Sequence, residues 1–296
     1  MRPHDDDAKR SRRPLYTLSI AVTVSVIGSL LLAPAALANF ITPKSGGSPN
    51  ANEIDSLYRI ILYIAAVVFV IVEGALLYSV IKFRAKKGAV AAQIHGNTRL
   101  EIGWTVGAAL ILVVLTVVTF IKLPSIIDAP TSNPGAVLSA ATSEVAPPSG
   151  KKITICVQGR QFIWRYTYGA DCLNNSFNLP YSYTTMEAPA GATVILDIQA
   201  NDVIHSWWIP SLGGKVDAVP GYTTYTWFKA LHTGTFRGQC AQLCGTNHAA
   251  MVAFVHVVTP AQYRAWVTHQ GALITAANNQ VLQLRAILTS EGQLGS

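Results

Sequence analysis

Charge is scarce in this 296-residue chain. Asp, Glu, Lys and Arg make up 12% of it, against roughly a quarter in an average soluble domain. Half of the residues are hydrophobic. Such a chain has too much apolar surface to stay disordered and too little charge to be one fully soluble domain. A basic face is missing as well. The net charge is +7, yet from residue 124 onward nine Lys and Arg stand against eight Asp and Glu. Phosphate contacts need grouped Lys and Arg, so no nucleic-acid partner is indicated. The four cysteines, at 156, 172, 240 and 244, are too few for a disulfide scaffold. No internal repeat is visible. What remains is a membrane anchor with one folded domain of roughly 100–150 residues.

The long apolar runs define that anchor. Residues 1–38 carry a basic stretch (KRSRRP), an apolar run and a terminal Ala36-Leu37-Ala38. This pattern predicts a secretory signal peptide cut after Ala38, with an uncleaved membrane helix as the alternative. Residues 39–55 follow as a short extracytoplasmic segment. Residues 56–83 and 101–123 each hold enough apolar sequence to cross a hydrocarbon core of ~30 Å. The loop between them contains Lys82, Arg84, Lys86, Lys87 and Arg99, with no acid before Glu101. Basic loops stay in the cytoplasm, so the chain after residue 124 lies outside. Glu73 sits within the first span. A carboxyl in hydrocarbon needs a partner or a polar cavity, which makes it either a helix-contact group or a proton-path candidate. Glu101 opens the second span, where the helix dipole favours a negative charge.

Residues 124–150 are rich in Pro, Ser, Ala and Gly and read as a linker. The pattern then changes to short β-branched and aromatic runs: KITICVQG, QFIWRYTYG, ATVILDIQA, VIHSWWIP, TTYTWFKAL, TGTFRGQ and MVAFVHVV. Short strands bounded by turn residues predict an antiparallel sandwich or barrel over 151–258. In the terminal segment 259–296, residues 259–270 predict a helix capped by Thr259 with Pro260 at its first position. The tail 271–296 is polar.

Within the β region, Cys240, Cys244, His248 and Met251 fall in twelve residues, and His205 lies about 35 residues earlier in DVIHSWW. Thiolate, imidazole and thioether together select copper, and one Cys, two His and a weak Met describe a mononuclear blue-copper site. Here one Cys is left over. Two thiolates can bridge two copper ions, each ion taking one imidazole, His205 or His248. Met251 and the backbone carbonyl of Gln242 supply the weak axial ligands. Structural zinc does not use Met. A Cys240–Cys244 disulfide leaves both His and Met251 without a reason. Cys156 and Cys172 flank the QFIWRYTY run and are either a disulfide, which this compartment permits, or two buried thiols.

The two-span hairpin with DVIHSWW, KVDAVPG and GQCAQLCGTNHAAM resembles subunit II of the haem–copper cytochrome c oxidases over about residues 50–268. The resemblance implies a membrane-anchored all-β chain, with an extracytoplasmic cupredoxin-like β-sandwich at 151–258. It implies a dinuclear copper centre of two copper ions on His205, Cys240, Gln242, Cys244, His248 and Met251. That centre takes electrons from cytochrome c or another small donor. It passes them to haem in subunit I, which reduces O2 to water coupled to proton translocation. The chain is then one subunit of a proton-translocating oxidase, not active alone, in a bacterial cell membrane with its C-terminal domain on the periplasmic side.

Some positions depart from the family pattern. Gln242 stands where many members have a Glu that helps hold magnesium or manganese, so that second metal is doubtful. Phe162 stands where the family usually has the Trp that receives the electron. Trp164, two residues on, and Trp207, beside His205, are the further electron-transfer candidates. No Cys-x-x-Cys-His follows, so no c-type haem is expected here. Glu101, in LEIGWT, matches the family's glutamate at the mouth of a proton-uptake path. A quinol oxidase subunit shares the fold but has lost the copper ligands, whereas all five side-chain ligands are present. A copper-delivery or thiol-redox protein with Cys-x-x-x-Cys would sit on a βαβ pattern. An adhesion sandwich explains the strands alone.

Overall fold

The structure is a computed structural model that describes residues 42–84, 88, 90, 93, 95–130, 152–169, 172–173 and 178–291. The signal segment 1–38, most of the basic inter-helix loop and most of the linker lie outside the described residues.

Two long helices come first. α1 spans Pro49–Lys82 and α2 spans Thr98–Ile127. Both are apolar and long enough to cross a membrane, and their apolar windows are unburied. Such surfaces need lipid or protein around them. Both helices start before the spans expected from hydropathy, and α2 also ends after its span. Hydropathy marks only the apolar centre, whereas the ends are fixed by Pro49 in the first turn of α1 and by the Asn97 cap on α2. The Asn97 side chain accepts from the Leu100 N–H at 3.2 Å. The start of the expected linker, Pro124 to Ile127, is therefore helical.

Ten strands follow: β1 Ile153–Arg160, β2 Ile163–Tyr168, β3 Tyr181–Tyr183, β4 Thr185–Pro189, β5 Thr193–Ala200, β6 His205–Trp207, β7 Val216–Ala218, β8 Thr224–Lys229, β9 Gly234–Gln239 and β10 Val252–Val258. They form a five-stranded sheet in the order β3-β2-β1-β5-β8, a three-stranded sheet β4-β10-β9 and a β6-β7 ribbon. One core joins the sheets: Ile155, Val157, Tyr166 and Leu196 from the larger meet Met186, Val255 and Val257 from the smaller. Period-2 alternation puts these residues on the inward faces.

The expected sandwich is the observed one, but it is not wholly antiparallel. β1 pairs with β5 in parallel, as does β10 with β4. Parallel partners need a crossover, and the intervening strands provide it. The short β3, β4 and β7 carry too few residues for an alternating pattern to be read. α3 runs from Pro260 to Ser290, well past residue 270. Its start is the Thr259 cap that the sequence suggested, and Gln262 completes a capping box with it. Its later turns are Gln- and Asn-rich and hide the helical period.

β8 ties the helices to the sandwich. The Asn50 amide donates to the Trp227 carbonyl at 2.8 Å. The Trp227 indole donates to the Ile126 carbonyl at 3.0 Å. Lys229 N–H donates to the Ser48 hydroxyl at 3.0 Å. The start of α1 and the end of α2 thus meet one strand, and Lys122 with Glu53 bridges the helices at 2.7 Å.

Candidate metal centre

The site is built from one strand end and one loop. β6 carries His205, fully buried, into the space beside the loop that joins β9 to β10. That loop holds Cys240, Cys244, His248 and Met251, with a 3-10 turn at His248–Ala250. Its two ends are pinned by backbone bonds. Cys240 N–H donates to Met251 O at 2.9 Å, and Ala241 N–H donates to Ser206 O at 2.9 Å. The second bond fastens the loop to the strand that bears His205.

The donor atoms fall into two matched halves. Cys240 Sγ lies 3.9 Å from His205 Nδ1 and 3.3 Å from the Gln242 carbonyl. Cys244 Sγ lies 3.5 Å from His248 Nδ1 and 3.9 Å from Met251 Sδ. The two sulfurs are 3.9 Å apart. Each thiol therefore has one imidazole and one weak donor of its own. The donor atoms of His205, Cys240 and Cys244 lie within 4.8 Å of one another. Burial, with the Cys240 thiol beside it, pushes the Cys244 thiol up to about 11. Such a thiol gives up its proton readily only to a cation. Thiolate, imidazole and thioether are soft donors, and this set fits copper.

Glycine is required at two contacts. A Cβ on Gly159 would meet the His205 ring at 2.9 Å and the Trp164 ring at 3.1 Å. Gly245, at φ +134, lies under the Phe162 ring, where a Cβ would come within 3.1 Å. The bulk of His205, Trp164 and Phe162 can approach the loop because these positions have no side chain.

An outer ring holds the donors in place. Asp202 Oδ1 is 2.8 Å from His205 Nε2, which leaves Nδ1 to face Cys240. Its other oxygen accepts from Gln161 N–H at 2.7 Å. The Gln161 side-chain amide then donates to the Cys244 carbonyl at 2.6 Å. A chain of hydrogen bonds thus runs from His205 through Asp202 and Gln161 to the cysteine loop. Burial works to raise the Asp202 carboxyl, but bonds from the Gln161 amide, the His205 ring and the Val203 amide outweigh it and hold it low. A carboxylate on the far nitrogen of a ligating imidazole fixes its tautomer and orientation. Sequence reading did not single out Asp202 or Gln161. The signal for Asp202 is its place three residues before His205; Gln161 has none, because its partners are distant in the chain.

The aromatic candidates flank this ring. Trp164 is buried, and its ring meets the His205 ring edge-on at 5.8 Å. Trp207 is buried and donates from its indole to the Tyr166 hydroxyl at 3.3 Å. Phe162 is half-buried over Gly245. The two proton-path candidates, Glu73 and Glu101, are not brought to the metal donors. Glu73 is exposed along α1. Glu101 lies in the first turn of α2, where it accepts from Asn97 N–H at 3.3 Å. Cys156 and Cys172 form a disulfide.

Comparison with known proteins gives a consistent neighbourhood. Two family profiles match: "Cytochrome C oxidase subunit II, periplasmic domain" over residues 153–258 and "Cytochrome C oxidase subunit II, transmembrane domain" over residues 35–121. Cytochrome c oxidase subunit 2 of Alkalihalophilus pseudofirmus is 33% identical over 234 residues, 78% of this chain and 63% of that one. The chain thus spans less than two thirds of that relative. The probable cytochrome c oxidase subunit 2 of Rickettsia bellii is 30% identical over 282 residues, 89% of this chain and 97% of that one. Among solved structures, the periplasmic domain of subunit II of the Bradyrhizobium japonicum cytochrome oxidase aligns at 32% identity. It covers 41% of this chain and 95% of its own, with a TM-score of 0.36.

Proposed function

Because the chain belongs to the cytochrome c oxidase subunit II family, we propose that it is the electron-accepting subunit of a respiratory terminal oxidase. In this reading the cupredoxin-like domain takes electrons from cytochrome c, or a donor like it. It hands them to the haem-bearing subunit I, which reduces O2 and translocates protons. Residues 1–38 act as the export signal, α1 and α2 cross a bacterial membrane, and 151–258 stands on the periplasmic side.

The observation that carries the proposal is the twofold matching of donors. Each thiol has its own imidazole and its own weak donor. One copper would leave half of the set unused. Two copper ions held by His205, Cys240, the Gln242 carbonyl, Cys244, His248 and Met251 would use all of it, and would supply one-electron transfer. The protein's part is to hold the donors still. Asp202 fixes the His205 ring, Gln161 fixes the Cys244 carbonyl, and the β6 and β9 backbones fix the loop ends. Rigid support of this kind keeps geometry constant during transfer. The Gln242 side chain lacks the charge that hard cations favour, and no magnesium or manganese site is assigned to it.

The test is an electron paramagnetic resonance spectrum of the full chain in its oxidised, copper-loaded complex. A hole shared by two copper nuclei gives about seven hyperfine lines, against about four for a single copper. A four-line spectrum, or no retained copper, would sink the bridged assignment.

A further inference from the structure

A cavity of about 470 Å³ lies between α3, the start of β1 and the end of β2. It is separate from the metal donors. Ile153, in its wall, opens β1, whereas Gly159, beside the His205 ring, lies near the far end of that strand, about 20 Å away at the usual rise per residue. The walls are largely apolar. Ile153, Pro180 and Val267 supply aliphatic surface, and the Tyr168 and Tyr263 rings, 6.3 Å apart, supply aromatic surface. Two polar groups stand among them. Lys152 is exposed and makes no ion pair among the described residues. The Tyr263 hydroxyl has no hydrogen-bond partner among the described residues, and burial raises its pKa, so it keeps its proton. The Tyr168 hydroxyl is engaged elsewhere. It accepts from Glu187 N–H at 2.8 Å and lies 3.1 Å from the Ser182 hydroxyl. A cavity of this size, mostly apolar with a few polar groups, has the usual form of a small-molecule site.

Charge and position narrow the class of ligand. The polar groups are an ammonium and a phenol O–H, and no lining residue is acidic. From Pro260 to Ser290, α3 carries Arg264 and Arg285 but no Asp or Glu. An anion is therefore attracted and a cation is not. The cavity also sits at the end of the sandwich that holds the membrane helices. Ile153 pairs with Val194, and Val194 with Phe228. The next residue, Lys229, donates to Ser48 beside the start of α1. β1 stands two strands from β8 in the sheet, about 10 Å at ordinary strand spacing. α3 starts at this same end. Gly191 N–H donates to Ala230 O and Ala190 N–H to Val258 O, both at 2.9 Å, just before the Thr259 cap.

We propose that this cavity binds an anionic amphiphile. The Lys152 ammonium and the Tyr263 hydroxyl hold its phosphate or carboxylate head, and its alkyl chain lies against Ile153, Pro180 and Val267. The ligand is either a phospholipid of the adjoining membrane or a free single-chain amphiphile with the same chemistry. The site goes beyond electron acceptance and does not involve the copper donors, so the two readings stand or fall separately.

The experiment uses the full chain in phosphatidylcholine nanodiscs, with a diazirine-bearing dodecyl phosphate as photoaffinity probe. Labelled residues are mapped by mass spectrometry, and labelling of α1 and α2 from the bilayer is the internal reference. Residues 152–154 and 263–267 should be labelled above that reference. Lys152→Ala should lower labelling there about tenfold, and Tyr263→Phe about threefold, as for loss of a charged and a neutral hydrogen bond. Val267→Trp should block labelling by filling the cavity. Unlabelled dodecyl phosphate should displace the probe, whereas dodecanol and inorganic phosphate should not. Displacement by phosphatidylglycerol added to the nanodisc assigns the site to a membrane lipid. Displacement by dodecyl phosphate but not by phosphatidylglycerol assigns it to a free amphiphile. Displacement by inorganic phosphate or by dodecanol would overturn the proposal, because head and chain would then not both be recognised. So would labelling no higher than the reference, or labelling unchanged in Lys152→Ala.

Discussion

The four cysteines form two pairs, and the fold leaves them in different states. Cys156 in β1 and Cys172 beyond β2 are joined across a sequence separation of 16. Cys240 and Cys244 lie close enough to react, yet are free thiols 3.9 Å apart. The first pair staples the loop leaving β2 onto the sheet. The second has an imidazole and a weak donor beside each sulfur. Cysteine proximity therefore does not decide the role; the neighbouring donor atoms do. A metal-binding pair must also stay reduced until it is loaded, since the thiolate is the ligand.

The sharpest way to break this contrast is to remove one member of the free pair. Cys244→Ser takes away the sulfur beside His248 and Met251. The shared-hole spectrum should vanish, and oxidation of the donor by the assembled complex should stop. A spectrum unchanged from the parent would show that Cys244 does not bridge.

The disulfide pair should behave in the opposite manner. Cys172→Ser opens a closed loop, and a loop of about 15 residues contributes about 3 kcal/mol by restricting the unfolded chain. Denaturant unfolding should show a loss of that order, while the copper spectrum of the folded protein remains as in the parent. A lost spectrum in the folded variant would mean that the two pairs are coupled through β1.

This division was partly legible beforehand. Cys240, Cys244, His248 and Met251 lie within twelve residues, so local spacing alone announces a ligand set, and His205 stands out by its Trp neighbours. The fate of Cys156 and Cys172 was not legible, because it depends on how the chain beyond β2 folds back over the sheet. The same reason hides the parallel pairing of β1 with β5 and of β10 with β4: register between distant segments leaves no local pattern. Strands of three residues, such as β3 and β7, are too short to show a period. Asp202 and Gln161 look like ordinary turn residues in sequence. Their role appears only when the β1–β2 turn is seen to lie between His205 and the cysteine loop.

That outer ring gives the next test. Asp202→Ala removes the acceptor from His205 Nε2 and frees the Gln161 amide. Loss of a carboxylate behind a ligating imidazole commonly costs 10–100-fold in metal affinity, roughly. Copper retention, measured by competition with a chelator, should weaken by about that factor, and the spectrum should change on the His205 half. Retention equal to the parent would show that Asp202 serves the turn alone.

The smallest expected effect is at Asp217, and it isolates what the free pair depends on. Asp217 lies in β7 opposite Ser206, one residue from the pairing of His205 with Ala218. In sequence distance across the ribbon it is almost as near to His205 as Asp202 is. Its side chain, however, is exposed, whereas Ala218 is buried, because successive residues of a strand point to opposite faces. What the strand uses of Asp217 is its carbonyl, which accepts from the Thr224 hydroxyl at 2.6 Å, and Asn keeps that carbonyl. Asp217→Asn should therefore leave copper retention and spectrum at parental values. If the copper signal were lost, a carboxylate outside the hydrogen-bonded ring would be supporting the site, and the state of Cys240 and Cys244 would rest on more than their adjoining donors.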